Sequence, residues 1–369
     1  MKICEQTLLE TFGRNGWGCY RIPGLVTTAA GTVLAYYETR LDAGDWSARN
    51  IGLRRSVDGG RTWSERTELA DNPAQATVNN PVMIATASGP VVFCYQVDYD
   101  RAYCQISRDD GCSWSAPNEI TAALLSLRDR YAWTVFGLGP GHGIACAGGR
   151  LLIPVWLCNG GGRAHRPSVV TTLYSDDGGA AWRSGEILPT DGHLVNPNES
   201  ALVQLRDGRI LINMRHESER RRRAVAISPS GIADWSAPWF DEALPDPVCC
   251  AGLVRLPQSQ ADQPLLAFCN CAVEGARSRE DWATSRRNLT VRLSADDGLT
   301  WSSGHLLAER AGYADLAASP DGAWVYGFFE HDWIDGSCGK PAGLAFVRMN
   351  RAWLGTPAIG GQKDEPTNP

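Results

Sequence analysis

The chain predicts an all-β fold, a six-bladed β-propeller, and three observations carry that expectation. Ser-x-Asp-x-Gly-x-x-Trp occurs four times, at Ser56–Trp63, Ser107–Trp114, Ser175–Trp182 and Ser294–Trp301. Short β-rich runs bounded by Gly, Asp, Asn and Pro recur from end to end. No long segment keeps the 3.6-residue apolar period of an amphipathic helix.

The four copies start 51, 68 and 119 residues apart, a propeller-like repeat in which each unit is a small antiparallel sheet. The widest gap has room for one more copy. A degenerate one lies there at Ser228–Trp235, with Ser230 in place of Asp and Ile232 in place of Gly. The octet is a turn recipe. Ser and Asp side chains accept from backbone N–H groups, Gly permits an unusual φ, and Trp plugs the space between strands.

The strand-like runs are GLVTT, TVLAYYE, PVMIATA, PVVFCYQV, RLLIPVWL, SVVTTLY, ALVQL, RILINM, PLLAFC, LTVRLS and AWVYGFF. AAGT, ASGP, AGGR and RDGR between them read as hairpin turns. TAALLSLRDRYAW (121–133) is the one plausible short helix. A single propeller over residues 1–359 and a polar tail over 360–369 account for the chain.

Composition narrows the function. A formal charge of −6 disfavours a nucleic-acid groove or an anionic membrane surface, and no apolar run is long enough to span a bilayer. The visible N-terminus carries no signal-like apolar stretch, so a cytoplasmic location is expected; a chain trimmed of its leader would be secreted or periplasmic. Cys94, Cys146, Cys158 and Cys269 sit in or beside apolar runs, as small buried hydrophobes rather than a disulfide framework. Lys2, Lys340 and Lys363 are the only lysines, and the run Glu219–Arg223 reads as a solvated loop. GLGPGHG at 137–143 reads as a tight turn and not a phosphate loop, because neither a helix nor a βαβ unit follows.

What remains are ionisable groups in apolar or turn contexts. Arg21 lies in CYRIPGL, Glu38 and Arg40 end TVLAYYETR, and Asp45 follows in LDAGDW. Glu199 lies in VNPNESALVQL, Arg215 ends RILINMR, Arg286 precedes NLTVRLS, Tyr313 lies in AGYADL, and Glu330 ends AWVYGFFE. Singly, each reads as a surface charge or a local ion pair.

Taken together and in this order, these motifs resemble the exo-α-sialidases with Asp-box repeats, over nearly the whole chain. The resemblance implies that Arg21, Arg215 and Arg286 grip the carboxylate of a sialic acid, a task suited to permanently charged, planar paired donors. It implies that Glu330 orients Arg21, that Tyr313 is the nucleophile with Glu199 as its base, and that Asp45 is the acid/base. Most glycosidases use two carboxylates, and the tyrosine of sialidases is an exception. An anomeric carbon bearing a carboxylate repels an anion, whereas a phenol can arrive neutral. The neighbouring arginines are expected to lower the Tyr313 pKa from about 10, and Asp45 must carry a proton to act as acid.

Within the resemblance, RRNLTVR offers both Arg286 and Arg287, with the family spacing pointing to the first. Asp42 competes with Asp45, and Trp46 favours the second. Arg40 and Glu38 either contact sugar hydroxyls or pair with each other. Trp133, Phe136 and Asn80 are candidates for the pocket wall, while His142 and His216 receive no role. The expected activity is retaining hydrolysis of terminal α-linked sialic acids from glycans through a tyrosyl-sugar intermediate, with no metal or organic cofactor. Transfer to an acceptor, intermolecular or intramolecular, uses the same residues. A non-catalytic carbohydrate-binding propeller is the alternative from another class.

Overall fold

The computed structural model describes residues 2–70, 72, 74–257, 265–274, 285–334 and 340–355. Each strand-like run overlaps a strand, most of them running a residue or two past its end, and Pro264 of PLLAFC lies outside the described residues. The first blade is Cys19–Thr27, Val33–Arg40, Ala48–Ser56 and Thr67–Glu68, paired in that order. The second is built on Val78–Ala85, Val91–Val97, Arg101–Ser107 and Asn118–Glu119. Val135–Leu138, Leu151–Cys158, Ser168–Ser175 and Arg183–Ser184 form the third. Ser200–Gln204, Ile210–Met214, Arg222–Ser228 and Trp239–Pro245 form the fourth.

The last two blades share one seven-stranded sheet because the long strand His305–Ala318 serves both. Its start pairs with Arg287–Ser294 of blade five, and its end pairs with Trp324–Trp333 of blade six. Ring closure is non-local: Cys4–Thr11 is the outermost strand of blade six, antiparallel to Pro341–Asn350, with Cys4 opposite Met349.

Among the described residues, six buried apolar clusters fill the interfaces between consecutive blades. Tyr36, Leu53, Phe93 and Tyr95 belong to the cluster between blades one and two. Tyr20, Tyr37, Phe328 and Phe346 belong to the one that joins blade six back to blade one. Flat sheets side by side leave wedge-shaped gaps, and large aromatic rings fill them at native density.

The octets work as the sequence suggests. Ser56 Oγ donates to Asp58 at 2.8 Å and accepts from Gly60 N at 2.8 Å, while Asp58 accepts from Thr62 N at 2.9 Å. The same bonds recur around Asp109, Asp177 and Asp296. Each octet joins the third and fourth strands of its blade, and Trp63 reaches across to Phe346 at 4.8 Å. The degenerate copy takes the same place in blade four, where Ser228 still accepts from Gly231 N at 2.9 Å.

Three expectations need correction. Only Ala122–Leu125 of the 121–133 segment is helical. Trp133 and Phe136 are core residues between blades two and three, not pocket wall, because both rings are sealed into the apolar cluster there. Glu219–Arg223 is not wholly solvated: Arg222 opens a strand, and Arg223 is fully buried, bonded to Asn213, Asp246 and the Cys249 carbonyl. The turn at Glu219–Arg220 hid the strand behind it. Among the described residues the cysteines are free, and Cys94, Cys158 and Cys269 are buried. The 360–369 tail lies outside the described residues.

Candidate active site

In each blade the first strand runs away from one face of the wheel, the second returns to it and the third leaves again. The octet turns therefore lie on the opposite face from Arg21, and the predicted site residues lie on the first. Arg21 begins a first strand, Arg40 ends a second, and Asp45 sits in the loop between second and third strands. Glu199 precedes a first strand, Arg215 follows a second, and Arg286 precedes a third. Tyr313 opens the blade-six half of the shared strand, and Glu330 lies near the end of the next. These residues come from blades one, four, five and six, and the fold brings them to one end of the central channel.

Local distortions aim the side chains. The blade-one ladder shifts register between Arg21 and Gly24, with Ile22 at φ 59°. The blade-two ladder shifts between Asn79 and Val82, with Asn80 at φ 49°, and the blade-six ladder shifts between Ala311 and Ala314, at Tyr313. Bulges of this kind re-aim side chains and recur beside functional sites. A β-branched residue such as Ile22 in the left-handed region is strained, and its neighbours must hold it there. Glu330 does so, accepting from Ile22 N at 3.3 Å.

A cavity of about 270 Å³ opens at this end, lined by Arg21, Arg40, Asp45, Glu199, Arg215, Arg286 and Tyr313. The Tyr313 hydroxyl donates to Glu199 Oε1 at 2.7 Å and accepts from Arg215 Nη1 at 2.5 Å. Arg215 also pairs closely with the second Glu199 oxygen. The guanidinium carbons of Arg21, Arg215 and Arg286 lie 5.3, 5.8 and 5.1 Å from the centre of the Tyr313 ring. Arg21 is held by Glu330, Nε to Oε1 at 2.9 Å, and Arg286 donates to the Val248 carbonyl at 3.1 Å.

The geometry separates the alternatives that the sequence left open. Arg286 is buried against Tyr313, whereas Arg287 is exposed on its strand. Asp45 faces the cavity, whereas the Asp42 carboxylate closes its own loop by accepting from Gly44 N at 2.7 Å. Arg40 and Glu38 do pair, Nε to Oε2 at 2.7 Å. Arg40 lines the cavity, and its Nη1 also reaches the carbonyls of Ala43 and Gly44 and Asp45 Oδ1 at 3.1 to 3.2 Å. It is the strut of the Asp45 loop. Glu38 lies behind it, fully buried, and accepts from Asn80 N at 2.7 Å.

The electrostatic expectation for Tyr313 is reversed, and the proton that Asp45 needs as an acid is not held in this arrangement. Burial, with Glu199 adding to it, pushes the Tyr313 phenol well above its ordinary value and outweighs the downward pull of Arg215, Arg286 and Arg21. Tyr313 is therefore a neutral phenol. Burial also pushes the Asp45 carboxyl up, but Arg40, Arg21 and His165 outweigh it and hold the carboxyl down at about 2. Its side chain is half exposed, and Asp45 is a carboxylate in this arrangement rather than a waiting acid.

The cavity has further walls: Ile22, Asn80, Tyr99, Trp156, His165, Arg166 and Asn198. Asn80 was among the expected wall residues. Asn198 lies in the VNPNES run and accepts from Glu199 N at 2.8 Å. Trp156 stands in GRLLIPVW, where an apolar run gives no sign of which face meets the channel. Tyr99, His165 and Arg166 carry no sequence signal, being loop residues placed only by the closing of the ring. His142 lies at the channel's other end and pairs with Asp315, and His216 bonds the Arg222 carbonyl.

The model of the BNR repeat-like domain matches residues 69–326 of this chain. The chain is similar to the sialidase of Micromonospora viridifaciens, 31% identical over 94% of this chain and 54% of that protein. It is also similar to the sialidase of Bacteroides fragilis, 30% identical over 80% of this chain and 56% of that one. The chain thus spans about half the length of these curated relatives. The solved structure of the Hadza microbial sialidase Hz136 shares the fold, with a TM-score of 0.77 at 23% identity, over 94% of this chain and 68% of that one. The four octets, the ring of six blades and these likenesses agree, and the chain belongs to the sialidase family of β-propellers with BNR repeats.

Proposed function

We propose that the protein is a retaining exo-α-sialidase that releases terminal sialic acid from glycans through a covalent intermediate on Tyr313. One observation carries this reading: guanidiniums from three separate blades surround a buried tyrosine whose hydroxyl is already bonded to a carboxylate. Such a floor suits a sugar whose anomeric carbon carries a carboxylate, and the small, walled cavity suits a terminal unit. In the proposed reaction the three arginines hold that carboxylate. Tyr313 gives its proton to Glu199 as its oxygen bonds to the anomeric carbon, while the bond to the aglycone breaks and the leaving oxygen takes a proton from Asp45. Water, deprotonated by Asp45, then displaces the tyrosine, which recovers its proton from Glu199.

A phenol held neutral by burial fits the first step, because no anion needs to approach the substrate carboxylate. Asp45 must gain a proton on binding. An incoming carboxylate beside Arg21 offsets part of the positive field that keeps Asp45 ionised, and closure removes water; both raise its pKa.

Incubation with a fluorogenic α-sialoside, beside the variants Tyr313→Phe and Asp45→Ala, tests the reading. Wild-type turnover with release of the α-anomer first, followed by NMR, is expected. A silent wild type would sink the enzymatic reading, and first release of the β-anomer would sink retention. Release of an anhydro sugar, or its appearance on an added acceptor, would replace hydrolysis by transfer.

A further inference from the structure

The Asp45 loop is supported from two sides, and on the second side Trp46 and Arg163 lie outside the cavity lining. On the inner side, Arg40 bonds its carbonyls and Asp45 itself. On the outer side Trp46, next in the chain, reaches out of blade one to the wall formed by blades two and three. Its ring lies 4.7 Å from Tyr99, and the Arg163 guanidinium stands over it at 4.7 Å. His165 completes the cluster, 4.8 Å from Tyr99, 5.2 Å from Trp156 and 6.4 Å from Trp46. Arg163 and His165 both come from the Gly-rich segment 159–167 between Leu151–Cys158 and Ser168–Ser175.

We infer that the 159–167 segment and Trp46 form a clamp that positions Asp45 for proton transfer to the leaving group, with Trp46, Arg163 and His165 as positioning residues. The inference rests on the reading of Asp45 as the acid/base. Three features point this way. His165 Nε2 is buried with no hydrogen-bond partner among the described residues, so ring packing rather than a polar bond explains its place. Arg163 is exposed, yet its charge sits over the one aromatic ring carried by the Asp45 loop. The Trp46 backbone is fixed as well, its carbonyl accepting from Thr77 Oγ1 at 2.9 Å and from Arg49 Nη1 at 3.0 Å. A carboxyl one residue away therefore inherits a fixed path, while its own side chain stays half exposed and could otherwise swing. Proton transfer needs the donor within hydrogen-bond reach of the departing oxygen, so looseness there costs rate where protonation matters.

Leaving-group dependence separates this role from mere support of the fold. Aryl α-sialosides of similar size and differing phenol pKa would be compared on wild type, Trp46→Ala, Trp46→Phe, Arg163→Met, Arg163→Lys and Asp45→Ala. For Trp46→Ala, kcat/KM should fall on the order of tenfold more on the most basic phenol than on the nitrophenyl compound, a fraction of the ~10²–10⁴ that a general acid supplies. Arg163→Met should steepen the dependence in the same sense, and Trp46→Phe and Arg163→Lys should restore most of it. Asp45→Ala should show the steepest slope. If Asp45→Ala is steep while Trp46→Ala and Arg163→Met lose rate equally on all substrates, or not at all, the clamp is refuted and the acid stands. If Asp45→Ala is itself flat, the reading of Asp45 fails and the clamp with it. Arg163 lies on the surface, so its variants decide the matter even if Trp46→Ala folds poorly.

Discussion

Glu330→Gln removes one charge and exchanges one oxygen for an NH₂ group, at a position fully buried beneath the site. The carboxylate there accepts from four donors. Oε1 takes Arg21 Nε at 2.9 Å and Ile22 N at 3.3 Å, and Oε2 takes Tyr313 N at 3.1 Å and Arg21 Nη2 at 3.5 Å. In the amide, whichever oxygen is replaced presents a donor to two donors. Two of the four bonds are lost, and Arg21, itself buried, keeps only the more distant, half-exposed Asp45 carboxylate at 3.8 Å. Breaking a buried pair by removing one partner costs about 3–5 kcal/mol, consistent with charged hydrogen bonds at about 1.5–3 kcal/mol each. Urea unfolding should show the loss as a lower midpoint at unchanged slope. The double variant Arg21→Met/Glu330→Leu should recover much of that stability without recovering turnover, because the cost lies in the orphaned charge. A Glu330→Gln protein within about 1 kcal/mol of wild type, or a double variant no more stable than the single, would refute this reasoning.

Other outcomes follow from the same structure. The ultraviolet difference titration of wild type against Tyr313→Phe should show Tyr313 still largely protonated at pH 10, its ordinary midpoint, because burial raises it. Its folded value lies above its unfolded one, so its contribution to stability is full below about pH 10 and is lost as pH rises through the folded value. Asp58→Ala should cost about 1–2 kcal/mol through the loss of a turn cap and leave kcat/KM unchanged, since the octet turn faces away from the cavity. A fall in kcat/KM matching that of Asp45→Ala would contradict the separation of repeat from site. Arg286→Lys should raise KM for an α-sialoside markedly while Arg287→Lys leaves it alone, a contrast that steady-state kinetics reads directly.

The repeats were legible because each octet is a local hydrogen-bonding unit whose chemistry is written in eight consecutive residues. That is why even the degenerate copy at Ser228–Trp235 declared its blade. The candidate site was legible for a different reason: Arg21, Glu199 and Tyr313 are out of place in apolar or turn contexts, and their order along the chain matches a family. Tyr99, Trp156 and His165 were not legible, because their meeting depends on the closing of a ring and on no local pattern. Arg223 was misread for the same reason, since its burial is set by Asp246 and Cys249, more than twenty residues away. The titration states were the least legible. Proximity of arginines is visible in a resemblance, but the burial that overrides it at Tyr313 and fails to override it at Asp45 depends on depth in the folded wheel.

The central claim is that Tyr313, held neutral against Glu199, becomes the covalent partner of the sugar. An α-sialosyl fluoride bearing a second fluorine next to the anomeric carbon slows breakdown of such an intermediate, and mass spectrometry of the trapped, digested protein locates it. An adduct on the peptide containing Tyr313, absent in Tyr313→Phe, is the predicted result. An adduct carried by Glu199 or Asp45, or undiminished labelling of Tyr313→Phe, would contradict the account.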